Sequence, residues 1–428
     1  MTQHAGTTMT MHAVVVTTGS AGDLFPFLKL ATSLREQGFA ITFVGPQLHN
    51  ELVQQAGFAL HGTFADPAVL DDPDVWHPSR GFGLIWRAVR PGLRELGAIV
   101  ARLPPHEPCI IVTHPLALHE AVLCRELRPD LRVVLAYLAP SNIPTVYDPL
   151  MLGPYRVPCW MPLAVRSWLW TLIGKRLVDP VVMPDINGDR AKVGVAPVAG
   201  MFDLLKRGPD LSVTLFAQWF GEPKPDWPKP LCCGDFALFD PLPDAAFSPE
   251  LLEFLALGDA PLIFTPGTAN RQANAYFADA LAATMVLGRR AIFLTPHREQ
   301  VSADLPPTVL WQPYLPLKKL LPYAAALIHH GGIGTTAEAL RAGIPQLIVA
   351  LAYDQFDNAQ RVKTLGAGLA LRNKQLSSAK LTATLRQLLA SAAIASCCKL
   401  LSERFSIDDS WQQMVLAISK KVSKMAKN

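Results

Sequence analysis

The chain has 428 residues, half of them hydrophobic and 17% charged, with 39 Lys+Arg against 35 Asp+Glu for a formal net charge of +4. At roughly 100–200 residues per domain this length predicts two domains or one large one, and the composition excludes disorder as the main state. So small a net charge on so long a chain argues against a dedicated nucleic-acid binder, and no nucleic-acid partner is expected.

The first ten residues, MTQHAGTTMT, lack the basic start and apolar run of a signal peptide, and Met11 is a candidate start. From there MHAVVVTTGSAGDLFPFLKLATSLREQGFAITFVG reads as strand (13–16), small-residue turn (17–23), helix and strand (41–44). The helix carries Leu24, Phe27, Leu28, Ala31 and Leu34 at helical spacing. A unit of this kind implies a parallel sheet whose ligands lie beyond the carboxyl ends of its strands, which is where Asp23 falls. Strands are expected again at 110–113 and 133–137, with a helix over 118–127 between them.

A proline-rich stretch within 209–249 breaks regular structure and predicts an interdomain connection. A second series follows, with strands at 262–265, 291–295, 326–328 and 346–350 and helices over 273–287 and 335–341. The expected organisation is an α/β chain of two parallel-sheet domains facing a cleft. An N-terminal domain spans 11–220, a linker 221–250, a C-terminal domain 251–405, and a helix with a basic tail 406–428. That tail holds Lys420, Lys421, Lys424 and Lys427, and solvation is its ordinary role.

Seven cysteines without a C-x-x-C pair fit neither a zinc framework nor a disulfide scaffold, and predict a reducing cytoplasm. No charge- and proline-free run reaches the roughly 20 apolar residues of a membrane span. A cytoplasmic protein with at most peripheral contact at the inner membrane face is expected.

The strongest local pattern is IHHGGIGTTAEALRAGIPQLIVALAYDQFDNAQRV, residues 328–362. A strand ending at His329 and His330 runs through Gly331, Gly332 and Gly334 into a helix beginning near Thr335. Such a helix start offers unpaired N–H groups and a positive dipole end to a phosphate. Glu338 lies one turn on, suited to ribose hydroxyls, and the next strand delivers Asp354 and Gln355 to its carboxyl end. This array resembles the nucleotide-sugar signature of family 1 glycosyltransferases, which have the GT-B fold of two Rossmann-like domains. By position the resemblance implies that His330, Gly332, Gly334 and Thr335 bind the donor pyrophosphate, Glu338 the ribose, and Asp354 and Gln355 the sugar. In the same half FTPGTAN, with Thr268, resembles the family's donor-phosphate loop. WQPYLPLKKLL resembles its base-binding segment, with Pro313 and Tyr314 over the nucleobase; a core position for Tyr314 is equally open.

In the first half TTGSAGDLFPF resembles the family's acceptor-side turn, in which Asp23 would be the general base for one inverting displacement and Ser20 lies beside the acceptor. Asp23 also stands where a helix N-terminal acid belongs. Some members pair the base with a second acid; here His114 occupies that place. The resemblance implies no metal and no cofactor beyond the nucleotide co-substrate, and the acidic run Asp71, Asp72, Asp74 lies in a loop without a strand to position it.

Over nearly the whole chain the sequence is similar to bacterial rhamnosyltransferases that make rhamnolipids and to related glycolipid-forming enzymes. The segments carrying this are MHAVVVTTGSAGDLFPF, DPDVWHPSRGFGLIWRAV, VPCWMPLAVRSWLW and YDQFDNAQR. It implies a lipophilic, hydroxyacyl-type acceptor, with Trp86 and Trp168 among the aromatics that line its groove or touch a membrane. Glu338 is able to read two ribose hydroxyls, which favours a UDP-hexose over dTDP-rhamnose as donor. The sequence leaves open a sugar-nucleotide epimerase of the same fold and a noncatalytic nucleotide-sugar-binding subunit.

Overall fold

The computed structural model describes residues 11–423 apart from 78, 106, 149–150, 154, 243–245 and 407–408. The run Ala13 to Val16 is buried throughout, because strand β1 (Met11–Val16) lies inside a sheet covered on both faces, where a continuous apolar run is stable. It pairs in parallel with β2 (Phe39–Pro46) on one side and β4 (Cys109–Thr113) on the other, Val16 standing level with Val44 and Thr113. Strands β3 (Leu60–Thr63), β5 (Leu131–Tyr137), β8 (Leu211–Thr214) and β9 (Leu231–Cys233) complete a seven-stranded sheet of order β3-β2-β1-β4-β5-β8-β9, parallel throughout. A small antiparallel hairpin, β6 (Met151–Leu152) and β7 (Tyr155–Arg156), stands apart.

The second sheet is also parallel. Its strands are β10 (Leu262–Thr265), β11 (Ala291–Leu294), β12 (Val309–Gln312), β13 (Ala326–His329), β14 (Gln346–Ala350) and β15 (Gly368–Arg372), in the order β12-β11-β10-β13-β14-β15. Helices cover both faces of each sheet, as parallel crossovers require.

Two boundaries differ from expectation. β9 pairs with β8, Ser212 level with Leu231, so the first lobe extends to Cys233 and the connection begins after it. Prolines flank this edge strand without interrupting it, which an edge tolerates. The last helix, Ser410–Ser423, returns to the first lobe: Met414, Val415 and Ile418 are buried in its core and the Trp411 indole N–H donates to Ser33 Oγ at 3.0 Å. Lys420 and Lys421 lie in this helix; Lys424 and Lys427 fall outside the described residues. Trp219 of the first lobe and Phe236 of the connection pack on Phe405 with ring centroids 5.7 and 5.6 Å apart. One apolar cluster thus runs from one lobe into the other. Among the described residues no single helix is long and apolar enough to cross a membrane.

Candidate active site

The turn after β1 is shaped around Asp23. Ser20 N-caps the helix Ala21–Glu36 by accepting from Gly22 N–H, and Asp23 Oδ2 accepts in return from Ser20 N–H at 2.9 Å. Gly19 has φ +85°, and a Cβ there would fall 2.2 Å from Asp23 Oδ2, so only glycine fits beside the carboxylate. Buried His49, which sequence reasoning passed over, lies 2.9 Å from the Gly19 carbonyl through Nε2 and props the turn. Asp23 closes the capping box with one oxygen and keeps a side chain 36% exposed.

His114, at the end of β4, stands with Nε2 3.8 Å from Asp23 Oδ1. Leu116 N–H donates to His114 Nδ1 at 3.2 Å, and the Thr18 hydroxyl lies 3.1 Å from the same nitrogen. A ring nitrogen that accepts a backbone N–H carries no proton of its own, which places the neutral imidazole's hydrogen on Nε2, facing Asp23. His114 thereby presents a donor to the carboxylate rather than a lone pair to an alcohol.

Across the cleft β13 ends at His329, which is structural. It is fully buried, its Nδ1 accepts from Gly331 N–H at 3.1 Å, and its Nε2 lies 3.0 Å from Gln346 Oε1. Burial drives its pKa down to about 3. Gly331 then turns with φ +97°, and the helix Ile333–Ala342 starts from Gly332 with no side-chain cap, its first bond running from Thr336 N–H to Gly332 O at 2.9 Å. The N–H groups of Ile333, Gly334 and Thr335 consequently have no helical partner. The His330 ring is wedged between two glycines: a Cβ on Gly267 would meet it at 2.8 Å and one on Gly332 at 2.6 Å. Its Nδ1 is buried without a partner among the described residues, and burial lowers its pKa to about 4. At neutral pH His330 is an uncharged donor and acceptor beside a helix N-terminus. Thr268 is exposed in the Gly267 loop that closes on the same ring.

The loop after β14 completes this end. Asp354 Oδ2 accepts from Asn358 Nδ2 at 2.8 Å, and the same amide donates to Gly331 O at 2.9 Å, tying the acid to the glycine turn. Burial, followed by the negative charge of Asp23, pushes the Asp354 carboxyl up to about 7. Gln355 is buried and its Oε1 accepts from Leu351 N–H and Ala352 N–H, at 2.8 and 3.1 Å, so part of its polarity maintains the turn. Tyr353 takes a left-handed conformation (φ +55°), rare for a side chain of its size, and its hydroxyl donates to Val75 O of the other lobe. Beyond β12, Pro313 and Tyr314 are both exposed, which removes the core reading of Tyr314; its hydroxyl lies 3.3 Å from Asp240 Oδ1. Glu338 is ion-paired with Arg341. Burial raises its pKa, and Arg341 opposes that rise.

The acidic loop serves as a bridge between the lobes. Asp71 pairs with Arg271 at 2.7 Å, Gln272 Nε2 donates to Leu70 O at 3.0 Å, and the Trp76 indole N–H donates to Gln272 Oε1 at 3.1 Å. Asp72 caps its own turn through Asp74 N–H. Among the described residues no three His, Cys, Asp or Glu side chains are grouped to hold a metal ion. Farther along the cleft Arg361 donates to Asp357 (2.7 Å), Asp148 (2.9 Å) and Phe220 O (3.0 Å), joining the lobes again.

One expectation is corrected outright. Trp86 is 1% exposed, donates its indole N–H to Asp185 at 2.9 Å and carries the Arg90 guanidinium over its ring. It packs the interior of the first lobe and lines no open groove. An apolar helix pattern alone does not tell a core tryptophan from a groove one. Trp168 does reach the surface, 60% exposed on the helix Leu163–Ile173.

Residues 279–415 match the family described as the C-terminal domain of erythromycin biosynthesis protein CIII-like proteins. The O-mycaminosyltylonolide 6-deoxyallosyltransferase of Streptomyces fradiae is 29% identical over 83% of this chain and 84% of its own length. The dTDP-epi-vancosaminyltransferase of Amycolatopsis orientalis is 28% identical over 84% and 85%. Among solved structures the glycotransferase of kitacinnamycin superposes with a TM-score of 0.73 at 17% identity, covering 96% of this chain and 99% of that one, and the spinosyn rhamnosyltransferase SpnG with 0.65 at 19%, covering 97% and 100%. Two parallel sheets opening their strand ends onto one cleft, with a glycine turn at a helix start, give the chain the GT-B fold, and over most of its length it is similar to glycosyltransferases.

Proposed function

We propose that the chain transfers a hexose from a nucleoside diphosphate to the hydroxyl of a lipophilic acceptor, with inversion at the anomeric carbon. The observation that carries this reading is Asp23, held by Ser20 and Gly19 at the mouth of the first lobe, where its negative charge bears on Asp354 of the second. Asp23 Oδ1 takes the acceptor's hydroxyl proton as that oxygen bonds to the anomeric carbon. The carbon–oxygen bond to the diphosphate breaks on the opposite face, and its electron pair leaves with the phosphate. His114 Nε2–H orients the carboxylate. The helix start at Ile333–Thr335 and neutral His330 stabilise the charge growing on the departing diphosphate, so this reading assigns no step to a metal.

The Arg341 pairing bears on the donor. One Glu338 oxygen engaged by Arg341 leaves the other for ribose, and a single oxygen serves a lone 3′-hydroxyl as well as a diol. This weakens the preference for uridine expected from sequence, and the relative whose name prints dTDP makes thymidine diphosphate sugars the first donors to test. For the acceptor, a hydroxyacyl lipid remains our reading; relatives named for sterols and for O-mycaminosyltylonolide support a bulky alcohol. The test is mass-spectrometric product analysis with dTDP-rhamnose, UDP-glucose and UDP-galactose against 3-hydroxyacyl lipids and a sterol. A glycoside of inverted configuration supports the proposal. Donor epimerisation without acceptor, or donor binding with no turnover on any acceptor, contradicts it.

A further inference from the structure

The helix Leu163–Ile173 is turned inside out. Its one charged residue, Arg166, is 7% exposed, and its guanidinium donates to the carbonyls of Met161 (2.9 Å), Val146 (3.1 Å) and Cys159. Three of its apolar residues face water instead: Leu163, Val165 and Trp168 are exposed, as are Trp160 (81%) in the turn before and Leu177 in the turn after, while Trp170 is half-buried against Phe202. Burying an arginine on backbone carbonyls while leaving two indoles in solvent is the reverse of the pattern that stabilises a surface helix of a freely dissolved protein.

Exposed cations stand beside this patch, with Asp179 and Asp203 lining the same hollow as Lys175. Residues 155–178 contain Arg156, Arg166, Lys175 and Arg176 and no Asp or Glu. Lys175 and Arg176 are exposed, and neither has an ion pair among the described residues. An apolar ridge with tryptophans at its margin and unpaired cations beside it fits the boundary between lipid headgroups and acyl chains, where indoles and aliphatic side chains enter and cations meet lipid phosphates. A second copy of the chain fits less well, because a twofold contact would bring two sets of these cations into one interface.

We infer that this face docks the enzyme on an anionic membrane surface. The inference stands on the helix alone and is independent of which sugar the cleft carries. The test is co-sedimentation of the full chain with vesicles of phosphatidylcholine containing 30 mol% phosphatidylglycerol, against phosphatidylcholine alone, with thermal melting to show that each variant is folded. Binding is expected on the anionic vesicles and should weaken as salt rises. Trp160→Ala with Trp168→Ala should lower partitioning about tenfold or more, the loss expected from withdrawing large apolar side chains from a lipid interface. Lys175→Glu with Arg176→Glu should lower it about tenfold or more on anionic vesicles only. Equal binding to both vesicle types, no binding to either, or tryptophan and charge variants that all bind as the wild type would overturn the inference. So would light scattering that shows a wild-type dimer and a monomeric tryptophan variant, which would make the face an interface between copies.

Discussion

At neutral pH the Asp354 carboxyl sits between its two forms, since burial and the negative charge of Asp23 push it up to about 7. From an ordinary value near 4 up to that point the unfolded chain ionises the group and the folded chain does not, so stability is lost as pH rises through this window and stays lost above it. Asp354→Asn keeps the acceptor for Asn358 and removes the cost. The melting temperature should rise by about 2–4 °C at pH 8, with no gain at pH 4. A gain equal at both pH values would show that the carboxyl ionises freely in the folded chain. The capping role of Asp23 was legible from its spacing alone, and the catalytic role we propose for it came from the family resemblance. Its surroundings were not legible: His49 reaches the turn from a distant stretch of chain, and no local pattern marks it. Trp86 shows the converse, where spacing gave the helix and left its direction undetermined.

At the scale of the element, the donor turn works because two backbone segments close on one imidazole. Gly332 has an ordinary backbone conformation (φ −58°, ψ 143°), so alanine is sterically unwelcome there only because its Cβ would stand 2.6 Å from His330 Nε2. Gly332→Ala should move the ring and weaken binding of a nucleoside diphosphate by about tenfold or more, measured by titration calorimetry, one lost hydrogen bond to a charged group being enough for that. An unchanged affinity would separate His330 from the phosphate site. The glycine run and the helix after it were readable because each reflects a local demand of backbone geometry. The edge strand Leu231–Cys233 was not, because its prolines look the same whether they border a strand or a linker.

For the whole molecule, the two lobes share an apolar cluster and a set of polar bridges of which Arg361 is the most connected. It joins buried Asp357 to Asp148 and to the Phe220 carbonyl. Arg361→Met leaves buried Asp357 without its partner, while Asp148 keeps Lys224 at 3.5 Å, and should cost about 3–5 kcal/mol in denaturant unfolding. A cost below about 1 kcal/mol would place the bridge among exposed pairs of little worth. The return of the helix Ser410–Ser423 to the first lobe means that this lobe is completed only by chain that follows the second lobe. Composition could not foretell that, because an amphipathic helix does not say which sheet it will cover.

The central claim is that Asp23 removes the acceptor's hydroxyl proton as that oxygen attacks a sugar donor already held by the opposite lobe. The most direct test is Asp23→Asn under single-turnover conditions, with donor affinity measured on the same preparation. The account predicts an unchanged dissociation constant for the donor and a transfer rate lower by about a thousandfold, within the range assigned to general base catalysis. Transfer at the wild-type rate, or loss of donor binding in step with activity, would contradict it.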